Sequence, residues 1–522
     1  MRRRYSWRHK TIESPPREDH DDGEAQDEAG SGAPSGVRAS SPPPEAATSL
    51  LESPSDPFDA MGFKITPEMT RIIHIAQTSF LPSLYVYPYI KRLSRRFPPT
   101  ANPSCTGEQL ADGNVGLGFS FGGCTSAWIC DHITSLLRFH DGQQKRELER
   151  AALQLKHHSL GSLRDKMLQL PELAGAAGMD LMVHVMWLHG VESMARNYDA
   201  AKAHARALSV ILDSHKERPE MISLMIIMQF NDVELCTRAM RRTTMDFESS
   251  FGKALDVFMQ EHAALIPQPL ENDETLHPCL ASSAFLRPIC ARLRHFLVLS
   301  DSPEPIEAPK DPSSGKVLWI WISSMTQQDT GRLLNRFLDL TELRNKQNPK
   351  SSWGLRYTEA CLTITMLHLL RKYFHESPMR GVDLRDGSQS IMKRLRYYLK
   401  LAIKHSTLAD VTYHREAFLW MFFAGAQYET RLKSDQKIEF EERDANNIKT
   451  SDASTSWFSM MLAEQAKALG ATIWPEARKI LQQFLYTDYF EPHGEKWFEA
   501  TVSAYARPGN LKCNEVSREY WT

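Results

Sequence analysis

The 522-residue sequence has no apolar run long enough to cross a bilayer, no paired C-x-x-C and little net charge, formally -2 at pH 7. A membrane-spanning helix takes roughly 18 to 20 apolar residues. The longest unbroken run, Ala417 to Ala426, is about half that length, and Arg415, Glu416 and Glu429 frame it. The eight cysteines (105, 124, 130, 236, 279, 290, 361 and 513) are scattered, which indicates neither a disulfide framework nor a zinc finger and suits a reducing compartment. The start, MRRRYSWRHK, leads into Thr11, Glu13 and prolines where a secretory signal needs an apolar core. A net charge near zero predicts no general attraction to polyanions, so any nucleic-acid contact must be local.

What is present is helical. In REAFLWMFFAGAQ (415 to 427), the residues Phe418 to Phe423 leave no polar face, so a helix built from them must be enclosed by other structure. Cys361 to Phe374 spreads Leu362, Ile364, Met366, Leu367, Leu369, Leu370 and Phe374 around a second helix with the same need. Two helices buried on all sides predict an all-α fold, a large multi-helix body of stacked helical hairpins. The composition, 42% hydrophobic and 24% charged, is that of a globular protein.

Residues 1–55 read as a disordered tail, with a basic end (Arg2, Arg3, Arg4, Arg8, Lys10), an acidic block from Glu18 to Glu28 and a Pro/Ser/Gly-rich stretch. Residues 56–522 form the body. Thr66, Pro67 and Glu68 open a helix that carries Met69, Ile72, Ile73, Ala76 and Phe80 on one face. Trp128 to Leu137 makes the next stripe, followed by Leu148, Ala152, Leu155, Leu163, Met167 and Leu170. Met179–Met194 and Tyr198–Leu212 form a hairpin about a turn at Asn197, and Trp457–Leu469, Pro475–Leu485 and Glu495–Tyr505 are the last helices. Polar linkers near 300 to 315, 344 to 354 and 433 to 454 read as loops. KVLWIWIS (316 to 323) has strand-like content but nothing nearby to pair with. No fixed-period repeat is visible.

Gly118-Phe119-Ser120-Phe121-Gly122 fits the nucleophile elbow G-x-S-x-G of α/β-hydrolases, in which glycines lift a serine between strand and helix. The stretch before it, Ala111 to Leu117, is polar and glycine-rich rather than a buried strand, so a flexible loop is the competing reading. Phe121 stands where a dinucleotide fingerprint needs its third glycine, and no Walker-type phosphate loop occurs. His184 and His189 are five apart, more than a helical turn, and His157 and His158 are adjacent and diverge. All four read as core or surface histidines rather than metal ligands. No catalytic, cofactor-binding or metal-binding residue is assigned, and no cofactor is implied.

Several stretches together resemble one family. SPSDPFDAMGFKITPEM, GVESMARNYDAAKAHARALSVIL (190 to 212), EACLTITMLHLL (359 to 370), AFLWMFFAGAQ (417 to 427) and WPEARKILQQFLYTDYFEPHGEKWFE (474 to 499) look like the helical regulatory domain of fungal-specific zinc-cluster transcription factors. The likeness covers about 54 to 505, and Asp56-Pro57-Phe58 and the Phe484-to-Trp497 segment are its most particular parts. It implies a nuclear regulator of RNA polymerase II genes that works with the transcription machinery or another regulator, often as a dimer. The family's zinc cluster of six closely spaced cysteines has no counterpart here, the first cysteine being Cys105. DNA is therefore expected to be met indirectly or weakly by this chain, through a partner or a segment upstream. A non-transcriptional helical scaffold and a hydrolase using Ser120 stay open as alternatives.

Overall fold

The run Ala417–Ala426 is enclosed on every side, with Phe418, Trp420, Met421 and Phe422 at most 1% exposed. In the computed structural model it opens a helix, Arg415–Glu441, and the second apolar stretch lies in another, Trp353–Leu370, whose residues Ala360 to Leu370 are all buried. The structure describes residues 130, 134, 142–169, 176–213, 221–245, 252–266, 275–301, 313–342, 353–376, 385–441, 457–488, 491 and 493–506. Among them are fifteen α-helices, one π-helical turn and no strand.

In chain order the helices are α1 (Gly142–Gln169), α2 (Ala176–Met194), α3 (Tyr198–Asp213), α4 (Met221–Ala239) and α5 (Gly252–Glu261). Then come α6 (Pro278–Ala281), α7 (Leu286–Asp301), α8 (Ser313–Thr341), α9 (Trp353–Leu370) and α10 (Arg385–His405). The last five are α11 (Leu408–Tyr413), α12 (Arg415–Glu441), α13 (Trp457–Leu469), α14 (Trp474–Leu481) and α15 (Gly494–Ala506). Consecutive helices pack as hairpins, α2 on α3, α8 on α9, α9 on α10 and α12 on α13. The hairpins then stack: α4 lies against α2, α8 and α10, while α9 meets α7, α8, α10 and α12 at the centre.

Local chemistry explains the joints. At the end of α2 the Asn197 N–H reaches back to the Glu192 carbonyl (2.9 Å) and Arg196 takes φ +59, the left-handed position of a Schellman stop. Met240 (φ 49) ends α4 in the same way, and Gly470 (φ 68) ends α13. Close helix contact needs a missing side chain at Gly425, where an added Cβ would sit 2.2 Å from the Phe458 ring. The α12–α13 hairpin closes over that hydrogen atom.

Several expectations shift in detail. KVLWIWIS belongs to α8, and Val317, Leu318, Ile320, Trp321 and Ile322 are buried around its circumference, which removes the alternation a strand would need. Residues 433–441 continue α12 rather than forming a loop, because their Glu, Lys and Gln content propagates a helix already nucleated. The helix from Trp474 stops at Leu481, short of Leu485. In α1 the burial line is Leu148, Ala152, Leu155, Ser159 and Leu163, while Met167 is 60% exposed. The tail 1–55, the helix near 66–80, the glycine-rich loop 113–123 with Ser120, and the 128–137 stripe apart from Cys130 and Thr134 lie outside the described residues. No helix among the described residues is long and apolar enough to cross a membrane.

Candidate functional site

Two polar constructions are set into this apolar body. The first begins where α9 widens into the π-helical turn Arg371–Glu376. Short π segments are uncommon and are often found at functional positions, because the extra residue re-aims side chains. Here two consecutive cations go to different carboxylates. The Arg371 guanidinium is fully buried and donates to Glu234 of α4 at 2.5 Å. The room it occupies exists because residue 387, in the first turn of α10, is glycine: a Cβ there would lie 2.6 Å from Arg371 Nη2.

Lys372 turns to the C-terminal segment. Its ammonium donates to Gln427 Oε1 (2.9 Å) and to Glu491, and the Gln427 amide donates to the other Glu491 oxygen at 2.8 Å. The Tyr373 hydroxyl donates to Glu491 at 3.4 Å, and burial followed by that carboxylate pushes the phenol well above its ordinary pKa. One turn earlier, His368 is held neutral, first by burial and then by the charges of Lys372, Arg431 and Arg371. The turn thus ties α4, α9, α12 and the segment before α15 together by charge.

The second construction borders a cleft of about 430 Å³ lined by Cys279, Phe285, Arg336, Leu355, Glu359 and His414, among others. His277 caps the short helix α6: its Nδ1 accepts the Cys279 N–H at 3.2 Å and lies 3.0 Å from Cys279 Sγ. Because Nδ1 accepts, the ring proton sits on Nε2, which donates to Glu416 of α12 at 3.2 Å. The ring stacks on Phe484, which stacks in turn on Trp420. Thiol, imidazole and carboxylate in line are the connectivity of an activated nucleophile. Burial, however, pushes the Cys279 thiol up to about 12, with Cys290 adding to the rise. The thiol so raised stays protonated at neutral pH, whereas nucleophilic attack requires the thiolate. The line works as a helix cap and as a pin between α6 and α12.

Of the histidines read from the sequence, His184 and His189 are both interior, since α2 is buried all round from Leu181 to Ser193. His184 Nε2 lies 2.6 Å from the Ser159 hydroxyl, so the polar residue in the α1 stripe has a partner waiting in α2. His157 and His158 are exposed on α1. No group of three or more His, Cys, Asp or Glu side chains among the described residues is placed to hold a metal ion. Among the described residues, Cys130, Cys236, Cys279, Cys290 and Cys361 are buried.

No protein-family model, no curated protein and no solved structure matches this chain. The two constructions therefore stand on geometry alone. Sequence reading did not single out Glu234, Arg371, Lys372, Glu491, His277 or Cys279. The basic pair straight after an apolar helix was the one visible signal, and its partners lie 137 and 119 residues away in the chain.

Proposed function

We propose that this chain is a transcription regulator of RNA polymerase II genes, acting in the nucleus through its helical body. Zinc-cluster contact with DNA would be supplied by a partner or by a segment outside this sequence. The observation that carries the reading is the resemblance of five stretches to the fungal regulatory domain, two of which meet in one aromatic cluster. AFLWMFFAGAQ in α12 and the closing segment from α14 to α15 share one aromatic cluster, in which Trp420 stacks on Phe484 and Phe423 meets Trp474, Tyr486 and Trp497; α9, which holds EACLTITMLHLL, packs on α12. The charge link from Glu491 to Lys372 and Gln427 joins them again.

The experiment is to tether the full chain to a promoter through a heterologous DNA-binding domain and to follow its location with a fluorescent tag. Nuclear accumulation with a changed reporter output supports regulation. A nuclear chain that leaves the reporter unchanged would make it a scaffold, and exclusion from the nucleus would discard the proposal.

A further inference from the structure

Several cations among the described residues are matched to carboxylates. Arg242 meets Asp339 and Glu342, Arg292 meets Asp329, Arg336 meets Glu359, Arg371 meets Glu234, Lys372 meets Glu491 and Arg478 meets Asp488. The outer face of α10 gathers five cations with no ion pair among the described residues. From Gly387 to His405 the sequence has no aspartate or glutamate, and Lys393, Arg394, Arg396, Lys400 and Lys404 all fall on the side away from the core. Its inner side is plain core: Ile391, Leu395, Leu399 and Ala402 are fully buried.

Lys393, Arg394 and Lys404 are exposed and make no ion pair or hydrogen bond among the described residues. Arg396 and Lys400 lie over the Trp457 ring, at 5.4 and 5.6 Å from its centroid, and neither makes an ion pair among the described residues. The carboxylate that acts on Arg396, Glu429, is turned inward to accept the Phe458 and Ser459 N–H groups at 3.1 and 3.2 Å. Partial burial, and then the like charge of Arg396, lower the Lys400 pKa. Tyr397, 56% exposed, stands among them.

Lys393 to Lys404 spans about 16 Å of helix. A nucleic-acid duplex carries one charge per roughly 3.4 Å along each strand, so about five phosphates lie opposite that length. We propose that the outer face of α10 binds the phosphate backbone of a nucleic-acid duplex without regard to base sequence. Cations carried at fixed spacing along a helix suit a rigid polyanion better than an acidic peptide, which must also give up its freedom on binding. The contact requires no transcriptional activity, so it can fail or hold independently of the regulatory reading. It also meets the demand of a chain with net charge -2 that any such contact be local.

The test is fluorescence anisotropy with the full chain and a labelled duplex of about 20 base pairs in two unrelated sequences, titrated between 50 and 200 mM salt. Five phosphate contacts predict a log–log salt slope near -4.5, about a 500-fold loss across that range, alike for both sequences. The triple variant Lys393→Gln, Arg394→Gln, Lys404→Gln changes only exposed side chains and is expected to reduce the slope to about -1.8. Lys202→Gln with Arg206→Gln, exposed on α3, should leave the slope unchanged. Any of three results overturns the proposal: no binding at 50 mM; a slope abolished by Arg2, Arg3, Arg4 and Arg8→Gln but untouched by the α10 triple variant; or polyglutamate competing more strongly than duplex at equal charge.

Discussion

The first half of α12 and the π-helical turn after α9 are both deeply buried, and they reach that state by opposite means. Phe418 to Phe423 have nothing to satisfy but shape, whereas Arg371 brings a full charge to a place with no exposed surface and meets Glu234 there. An apolar side chain gains from burial against any well-fitting neighbour. A buried charge is costly against every neighbour except its complement. The first region should therefore tolerate a change of partner and the second should not.

The largest effect expected is at the ion pair. Arg371→Met takes the guanidinium away from the buried Glu234 carboxylate and is predicted to cost about 3 to 5 kcal/mol, read as a fall in the urea midpoint. Adding Glu234→Leu should recover most of that loss, since a hydrophobic pair in place of a buried ion pair is often neutral or better. Trp420→Ala should cost a similar amount, about 3 to 5 kcal/mol by cavity formation, with no second-site change of charge to rescue it. A double variant no more stable than Arg371→Met alone would show that the charge match is not what holds this turn.

The interior histidines sharpen the contrast through pH. Burial lowers His184 to about 4 and His189 to about 3, in each case from an ordinary value of 6.5. Below pH 6.5 the unfolded chain takes up protons that the folded one refuses, so stability is complete above that value and falls as pH drops toward the folded pKa. Each residue should remove on the order of 2 kcal/mol between pH 7.5 and 5.0. The urea midpoint should therefore drop over that interval, and His189→Leu should make the drop shallower. An unchanged pH dependence in the variant would mean that His189 is protonated in place.

The apolar region has a sharp test of its own at Gly425. A methyl group there meets the Phe458 ring, so Gly425→Ala is predicted to destabilise by about 1 to 3 kcal/mol through overpacking, although alanine is the better helix former. If thermal unfolding moved upward instead, the α12–α13 contact would have slack that the geometry does not show.

The same contrast explains what the sequence could and could not reveal. Both all-round apolar helices, the α2–α3 hairpin and the Trp457–Leu469 helix are written in local periodicity, so the all-α class followed from runs of a few turns. Polar burial is written in pairs. Nothing near Arg371 announces Glu234, and Ser159 in the α1 stripe reads as an interruption until His184 of α2 is placed beside it. The cap made by His277 depends on Glu416 and Phe484, both far along the chain. Periodicity reports which side of a helix is buried, and is silent on what it is buried against.

The smallest prediction carries the comparison to the backbone. Among the described residues, three helices end in the left-handed conformation, at Arg196, Met240 and Gly470, and only the last of these uses the residue that adopts it without steric conflict. A side chain in that region costs roughly 1 to 2 kcal/mol, while glycine returns part of the gain as entropy lost on folding. Arg196→Gly should therefore stabilise the chain by up to about 1 kcal/mol, a small upward shift in the urea midpoint. Met240→Gly should instead destabilise, because Met240 is buried and its side chain is lost from the core together with the strain. Opposite signs at two stops of the same geometry would show that packing, rather than the turn itself, decides which residue a helix end can carry.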